Sequence, residues 1–219
     1  MRITGSMAAP SSWIDQRPFR DLYLTVVVYE FTKSSTDGVA IFHQESNKGA
    51  DFHLKGANLT EMPNLGVPVP PGFTITTQAC LTYYDLGKKW PTGLDQELEQ
   101  KVQWLEQVIK KGFGDPKNPL LVSVRSGAAV SMPGMMDTIL NLGLNDVTAR
   151  GLADKTKNPR FVYDAYRRFI QMFGDVVLGV EHKTFEKVLS AKKQAYKVQV
   201  DSELPARALE ELVVEYKDL

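Results

Sequence analysis

The residues best suited to bind a phosphate group lie in one segment, residues 120–144, which reads LLVSVRSGAAVSMPGMMDTILNLGL. An apolar, β-branched run leads to Arg125, whose guanidinium is a planar fork of donors that matches phosphate oxygens. Small residues follow, and they leave successive backbone N–H groups free to converge on an anion. Gly127 and Gly134 allow a positive φ and Pro133 lacks a backbone donor, so this stretch is not a helix. The segment therefore predicts a Gly-rich loop that covers a phosphate chain.

Both flanks of this loop are predicted to be strands, because residues 120–124 are apolar and residues 138–144 alternate apolar and polar side chains. The second strand is predicted from the alternation of Leu140, Leu142 and Leu144 with Asn141, Gly143 and Asn145. Thr138 adds a hydroxyl beside the loop and Asp137 adds a carboxylate. A different interpretation is also open, in which the loop is Gly-rich for turn geometry alone and its methionines fill a core.

The sequence of residues 122–146 resembles, at almost every position, the glycine-rich segment of the pyruvate, phosphate dikinase family. The resemblance extends to KGANLTEMPNLGVPVPPGFTITT at residues 55–77 and to NPRFVYDAYRRFIQMFGDVV at residues 158–177. It covers most of the chain from about residue 27 onward. In that family these segments belong to the N-terminal nucleotide-binding region, which has an ATP-grasp fold.

The resemblance also implies which residues bind ATP and its phosphates: Lys55, Arg125, Ser126, Gly127, Gly134, Met135, Met136, Asp137 and Thr138. In relatives, the lysine that corresponds to Lys55 follows a pair of glycines and opens a helix, so that its ammonium and the helix N-terminus face phosphate. Here His53 and Leu54 take the place of that pair. Their β-carbons restrict the turn and add bulk where the backbone would approach a ligand.

The implied activity is conversion of ATP, phosphate and pyruvate to AMP, diphosphate and phosphoenolpyruvate, with ATP and Mg²⁺ as cofactors. The family's metal ligands, its phosphohistidine and its pyruvate site belong to sequence outside these 219 residues. We therefore assign no catalytic and no metal-binding residue here, and expect the isolated chain to be inactive. The three histidines are interpreted as structural or surface residues: His43, His53 and His182.

The partners implied by the resemblance are ATP and the remaining C-terminal dikinase domains, with a homodimer allowed for the full-length protein. Two other functions stay open at this point. One is a non-catalytic nucleotide-binding or interaction fragment, which the His53-Leu54 pair favours. The other is the equivalent region of a phosphoenolpyruvate synthase-like dikinase.

Composition narrows the range of partners. Lysine plus arginine and aspartate plus glutamate both number 26, and this balance argues against a nucleic-acid-binding surface or a polybasic membrane patch. No apolar run approaches the ~20 residues that span a bilayer. The single cysteine, Cys80, excludes an intramolecular disulfide and is expected at a buried helix position. These features favour the cytoplasm, and serines and arginines among residues 1–20 leave organelle targeting open.

The sequence predicts a mixed α/β (α+β) chain. Residues 1–21 are an unmatched N-terminal extension, residues 22–144 form a first ATP-grasp subdomain, and residues 145–219 form a helical subdomain that we expect to be truncated at its C-terminal end. Helical periodicity and capping residues predict helices at 77–86, 93–111, 146–155, 160–177, 182–196 and 205–219. The second of these is expected to end at Gly112 as its C-cap.

Two expectations concern the faces of these helices. In helix 160–177, the inward residues are predicted to be Phe161, Ala165, Phe169, Met172 and Val176, while Arg167 and Arg168 are expected to be solvated. The last helix carries a stripe of Leu209, Leu212, Val213 and Tyr216. With no downstream element to cover that stripe, this helix is expected to fray or self-associate.

Overall fold

The computed structural model of the chain describes residues 23–27, 70–75, 77–127 and 138–219. They belong to two compact units. The first draws its described residues from Met1–Lys110 and Val122–Thr138, and the second consists of Lys111–Leu121 and Ile139–Leu219. The chain mixes helices with a small antiparallel sheet, which confirms the predicted fold class.

Three of the four strands of the sheet belong to the first unit: β1 (Tyr23–Val27), β2 (Gly72–Thr74) and β3 (Val122–Gly127). β1 pairs antiparallel with both of the others. Its register alternates apolar and polar rows: Val26 lies opposite Phe73 and Val124, whereas Thr25 lies opposite Thr74 and Arg125. Because successive strand positions point to opposite faces, the apolar row and the Arg125 row belong to different faces of the sheet.

Two helices complete the described part of this unit, α1 (Thr77–Asp85) and α2 (Leu94–Ile109). The predicted C-cap of α2 at Gly112 is wrong, because Lys110 itself turns left-handed with φ +56°. Gly112 instead closes the loop of residues 112–120. Its N–H donates to the Asn118 carbonyl at 3.1 Å and its carbonyl accepts from the Leu120 N–H at 2.7 Å.

Strand β4 (Thr138–Leu142) follows the Gly-rich segment, as predicted, but it ends at 142 rather than 144 and its burial does not follow the spacing of the leucines. Leu140 is 39% exposed, whereas Ile139 is buried. The cause is local backbone geometry, since Asn141 adopts a φ of +61° and Gly143 a φ of +114° and both interrupt the pleat. A Cβ at Gly143 would lie 2.5 Å from the Leu120 carbonyl oxygen, so this turn requires glycine.

Four helices dominate the second unit: α3 (Asp146–Thr156), α4 (Pro159–Val176), α5 (His182–Tyr196) and α6 (Ala206–Lys217). Their ends follow the capping residues of the sequence. Asn145 accepts from the N–H groups of Val147 and Thr148, and Asn158 accepts from the N–H of Phe161 with Pro159 in the first helical position. The predicted helices in this half of the chain are confirmed.

Helix α6 lies at the centre of the second unit, which overturns the expectation that it frays. Leu212 and Tyr216 pack in one core cluster with Phe185 of α5, while Val213 packs in another with Val162 of α4. The Tyr216 hydroxyl also donates to the Phe185 carbonyl at 3.2 Å. The apolar stripe of α6 is therefore covered by helices that precede it in the same chain.

The predicted inward face of α4 is right only in part: Ala165 and Phe169 pack against a core cluster, but the most buried residues are others. Phe161 is 57% exposed, and the helix buries Val162, Tyr166, Arg167, Gln171 and Gly174 instead. The cause is that Arg167 is ion-paired rather than solvated: it is 3% exposed and contacts Asp164 and Asp201, each at 2.9 Å. Hydrophobic periodicity could not identify a face that includes a neutralised arginine.

Candidate functional site

Arg125 lies inside strand β3 rather than at its end. The strand was expected to stop at residue 124, but it continues through Arg125 and Ser126 to Gly127 because β1 pairs with each of these positions. Paired backbone holds the Cα of Arg125 in a fixed place, and sites on strands are more accurately positioned than sites on loops. A guanidinium on such a strand is suited to hold an anion in one orientation.

Burial changes along β3 as the strand approaches the Gly-rich segment. Val122 is 5% and Ser123 is 1% exposed, whereas Arg125 is half-buried. The arginine therefore lies at the margin of the core, where its charge is only partly screened by water. At such a position, attraction for a phosphate is several times stronger than between fully hydrated ions.

The structure describes four of the nine predicted site residues. Arg125, Ser126 and Gly127 are consecutive in β3, and half-buried Thr138 begins β4 at the other end of the Gly-rich segment, in the same compact unit. The others lie outside the described residues: Lys55, Gly134, Met135, Met136 and Asp137. The described strands thus flank the segment on both sides, as the strand, loop, strand prediction requires.

Ser123 is a residue of interest that the sequence analysis did not identify, because it lies within an otherwise apolar run. The Ser123 hydroxyl is fully buried and has no hydrogen-bond partner among the described residues. It lies two positions before Arg125 and hence on the same face of β3. The available signal was a single hydroxyl within the otherwise apolar run of residues 120–124, which precedes Arg125.

The histidines and the cysteine give no evidence of a second site among the described residues. His182 is 59% exposed and contacts the Asp175 carboxylate at 3.1 Å, which confirms it as a surface residue; His43 and His53 lie outside the described residues. Cys80 falls within α1, as predicted. Within the described ranges, no three His, Cys, Asp or Glu side chains are grouped to hold a metal ion, and no helix is long and apolar enough to cross a membrane.

Comparison with known proteins identifies pyruvate, phosphate dikinases as relatives, although no model of a protein family matches the chain. Pyruvate, phosphate dikinase of Clostridium symbiosum is 55% identical over 163 residues, which make up 74% of this chain and 19% of that protein. The Giardia intestinalis protein of the same name is 56% identical over 165 residues. Pyruvate, phosphate dikinase 1, chloroplastic, of Oryza sativa subsp. japonica is 54% identical over 194 residues, 88% of this chain and 20% of its own length.

The length of these matches fixes which residues they include. The match of 194 residues leaves only 25 of the 219 unmatched, so it contains residues 26–194 wherever it begins. That range holds Lys55, the whole Gly-rich segment and helices α3 and α4. The chain spans about a fifth of the length of these relatives. Over most of its own length, the chain is therefore a homologue of one region of the pyruvate, phosphate dikinases.

Proposed function

We propose that this chain supplies the phosphate-binding wall of the ATP site of a pyruvate, phosphate dikinase. The observation that carries the proposal is that a match of more than 50% identity contains the entire Gly-rich segment together with Arg125. The half-buried position of Arg125 on a paired strand supports the same role. In this proposal the first unit is part of an ATP-grasp fold.

The chemistry assigned to the chain is charge neutralisation and positioning. In-line phosphoryl transfer needs little covalent chemistry from the protein, so catalysis depends on holding the phosphate chain and stabilising its developing charge. Arg125 and Lys55 neutralise phosphate oxygens. Residues Ser126 to Thr138 cover those oxygens with backbone N–H groups and with the Thr138 hydroxyl, while Asp137 orders this covering segment.

ATP and Mg²⁺ fit the described residues unequally. Arg125 suits a triphosphate, since a guanidinium fork is an anion-binding group. Mg²⁺ prefers carboxylate oxygens, and the described ranges contain no suitable group of them. We keep the assignment that the resemblance implies, with the metal ligands in other parts of the dikinase, and derive no step through the metal.

The relatives reported above are named pyruvate, phosphate dikinase, which favours this activity over that of phosphoenolpyruvate synthase. The partners in the proposal are ATP, the remaining dikinase domains and a second copy in a homodimer. The proposed compartment is the cytoplasm; the rice relative, by contrast, is named chloroplastic.

The first prediction concerns residues 53 and 54, where this chain has His53 and Leu54 in place of the glycine pair found in relatives. If the Lys55 ammonium meets phosphate, replacing His53 and Leu54 together by glycine is expected to tighten ATP binding, because glycine adopts a positive φ freely and permits close backbone approach. Isothermal titration of the parent and double variant with ATP measures the effect. Double replacement by alanine is the matched control, since it trims the side chains but keeps the β-carbons. Unchanged affinity in the glycine variant would indicate that the Lys55 ammonium is solvated and does not contact phosphate.

The second prediction concerns turnover. The 219-residue chain alone is expected to form no phosphoenolpyruvate from ATP, phosphate, pyruvate and Mg²⁺. One wall of a phosphate site leaves the triphosphate in water, where charges attract far less strongly. A chimera that carries this chain in place of the matching region of the Clostridium symbiosum protein is expected to form the product.

The chimera also separates the dikinase from a non-catalytic module. A folded chimera that binds ATP but forms no product would favour the interaction fragment. Robust turnover by the 219 residues as a monomer, verified by light scattering, would contradict the proposal because a complete site would then exist within them.

A further inference from the structure

We infer that Ser123 is a positioning residue for Arg125, and that its hydroxyl accepts a hydrogen bond from the guanidinium when an anion is bound. This inference rests on the proposed phosphate-binding role of Arg125. Its starting point is the Ser123 hydroxyl, which is 1% exposed and lacks a hydrogen-bond partner among the described residues. Native proteins rarely bury an unsatisfied hydroxyl, and such a group calls for a functional or structural reason.

The geometry of β3 limits where a partner can come from. Ser123 and Arg125 share one face of the strand, two residues or about 7 Å apart along it, and a neighbouring arginine of that length reaches back over this distance. The register fixes both backbones, because Ser123 pairs with Val27 and Arg125 pairs with Thr25. In this inference the two groups meet by rotation of their side chains, without movement of the strand.

The chemistry of the two groups is complementary. A guanidinium has five N–H donors and no acceptor, and a bidentate contact with a phosphate uses two of them. A hydroxyl can accept one of the remaining donors and thereby fix the plane of the fork. In that arrangement the hydrogen-bonding capacity of Ser123 is satisfied in the ligand-bound state, and the free protein bears the cost of an unsatisfied buried group.

This inference predicts opposite effects of Ser123→Ala on the free protein and on binding. The free protein is expected to unfold at the same temperature or a higher one, because the variant removes a buried hydroxyl that has no partner. Affinity for ATP, measured by titration at millimolar concentrations, is expected to fall about three- to tenfold, the loss of one hydrogen bond of ordinary strength, because the charge-assisted contact between Arg125 and phosphate remains. Affinity for inorganic triphosphate is expected to fall by the same factor, because the contact concerns phosphate alone.

Two further variants keep the test decisive. Ser123→Thr retains the hydroxyl and is expected to restore most of the affinity, whereas Ser123→Val has the shape of threonine without it and is expected to behave like alanine in binding. Loss of thermal stability in Ser123→Ala with unchanged affinity would overturn the inference, because the hydroxyl would then have a structural partner. If Arg125→Ala also leaves affinity unchanged, the proposed function itself fails; if it abolishes binding, only the role of Ser123 fails.

Discussion

Replacing Arg125 by alanine is expected to weaken ATP binding by roughly tenfold to a hundredfold. A charge-assisted hydrogen bond to phosphate contributes on the order of 1.5 to 3 kcal/mol, and each 1.4 kcal/mol is a factor of ten in affinity. The effect should lie at the upper end of this range, because Arg125 is half-buried and its strand is paired. In the chimera, the same change is expected to lower kcat/KM for ATP by a similar factor.

Arg168 provides the matched control. It is an arginine of the second unit, 58% exposed, with a single ion pair to Asp164 at 3.2 Å. Arg168→Ala is expected to leave ATP affinity within about twofold of the parent, since exposed ion pairs contribute 0 to 1 kcal/mol and none of that concerns the nucleotide. Equal and small effects of the two substitutions would remove Arg125 from the phosphate site.

The second large effect is on stability. Replacing Arg167 by methionine or alanine is expected to lower the free energy of unfolding of the helical unit by about 2 to 3 kcal/mol. Breaking a fully buried ion pair costs about 3 to 5 kcal/mol, but Asp164 and Asp201 are 18% and 34% exposed, and water reduces the cost. Lys193 also stays with Asp201 at 3.0 Å. Urea unfolding followed by far-UV circular dichroism measures the change.

The carboxylates show why Arg167 matters. Burial by itself would raise the pKa of Asp201, but the hydrogen bond from Lys193 and the charge of Arg167 lower it below its usual value. The carboxylate is therefore stabilised as an anion in the folded state. Methionine retains most of the buried aliphatic volume, so a loss in both variants reports the charge, whereas a loss only in alanine would report a cavity. A loss equal to that of Arg168→Ala would show that Arg167 makes no special contribution.

Helix positions in the second unit could be predicted because their signals are local. Asn145 and the Asn158-Pro159 pair mark where α3 and α4 begin, and the apolar stripe of α6 is buried as its spacing indicates. What covers that stripe could not be predicted, since it depends on how α4 and α5 pack. The inward face of α4 was predicted only in part because a paired arginine, Arg167, occupies it.

In the candidate site, too, the identity of the residues could be predicted from the sequence, whereas their three-dimensional environment could not. The resemblance identified Arg125 and its neighbours, because residue identity carries the chemistry. It did not predict that Arg125 lies within a strand, since that depends on pairing with Thr25 of β1, 100 residues earlier in the sequence. Ser123 was passed over because its burial without a partner is a property of three-dimensional packing.

The most direct test of the phosphate-binding role is an NMR titration of the isotope-labelled chain with ATP, with adenosine as the control ligand. We predict that the backbone amide resonances of Arg125, Ser126, Gly127 and Thr138 shift with ATP and not with adenosine, while those of α4 to α6 stay in place. Absence of any shift at these four residues up to millimolar ATP, or shifts confined to the helices of the second unit, would contradict the assignment of this segment to the phosphates of ATP.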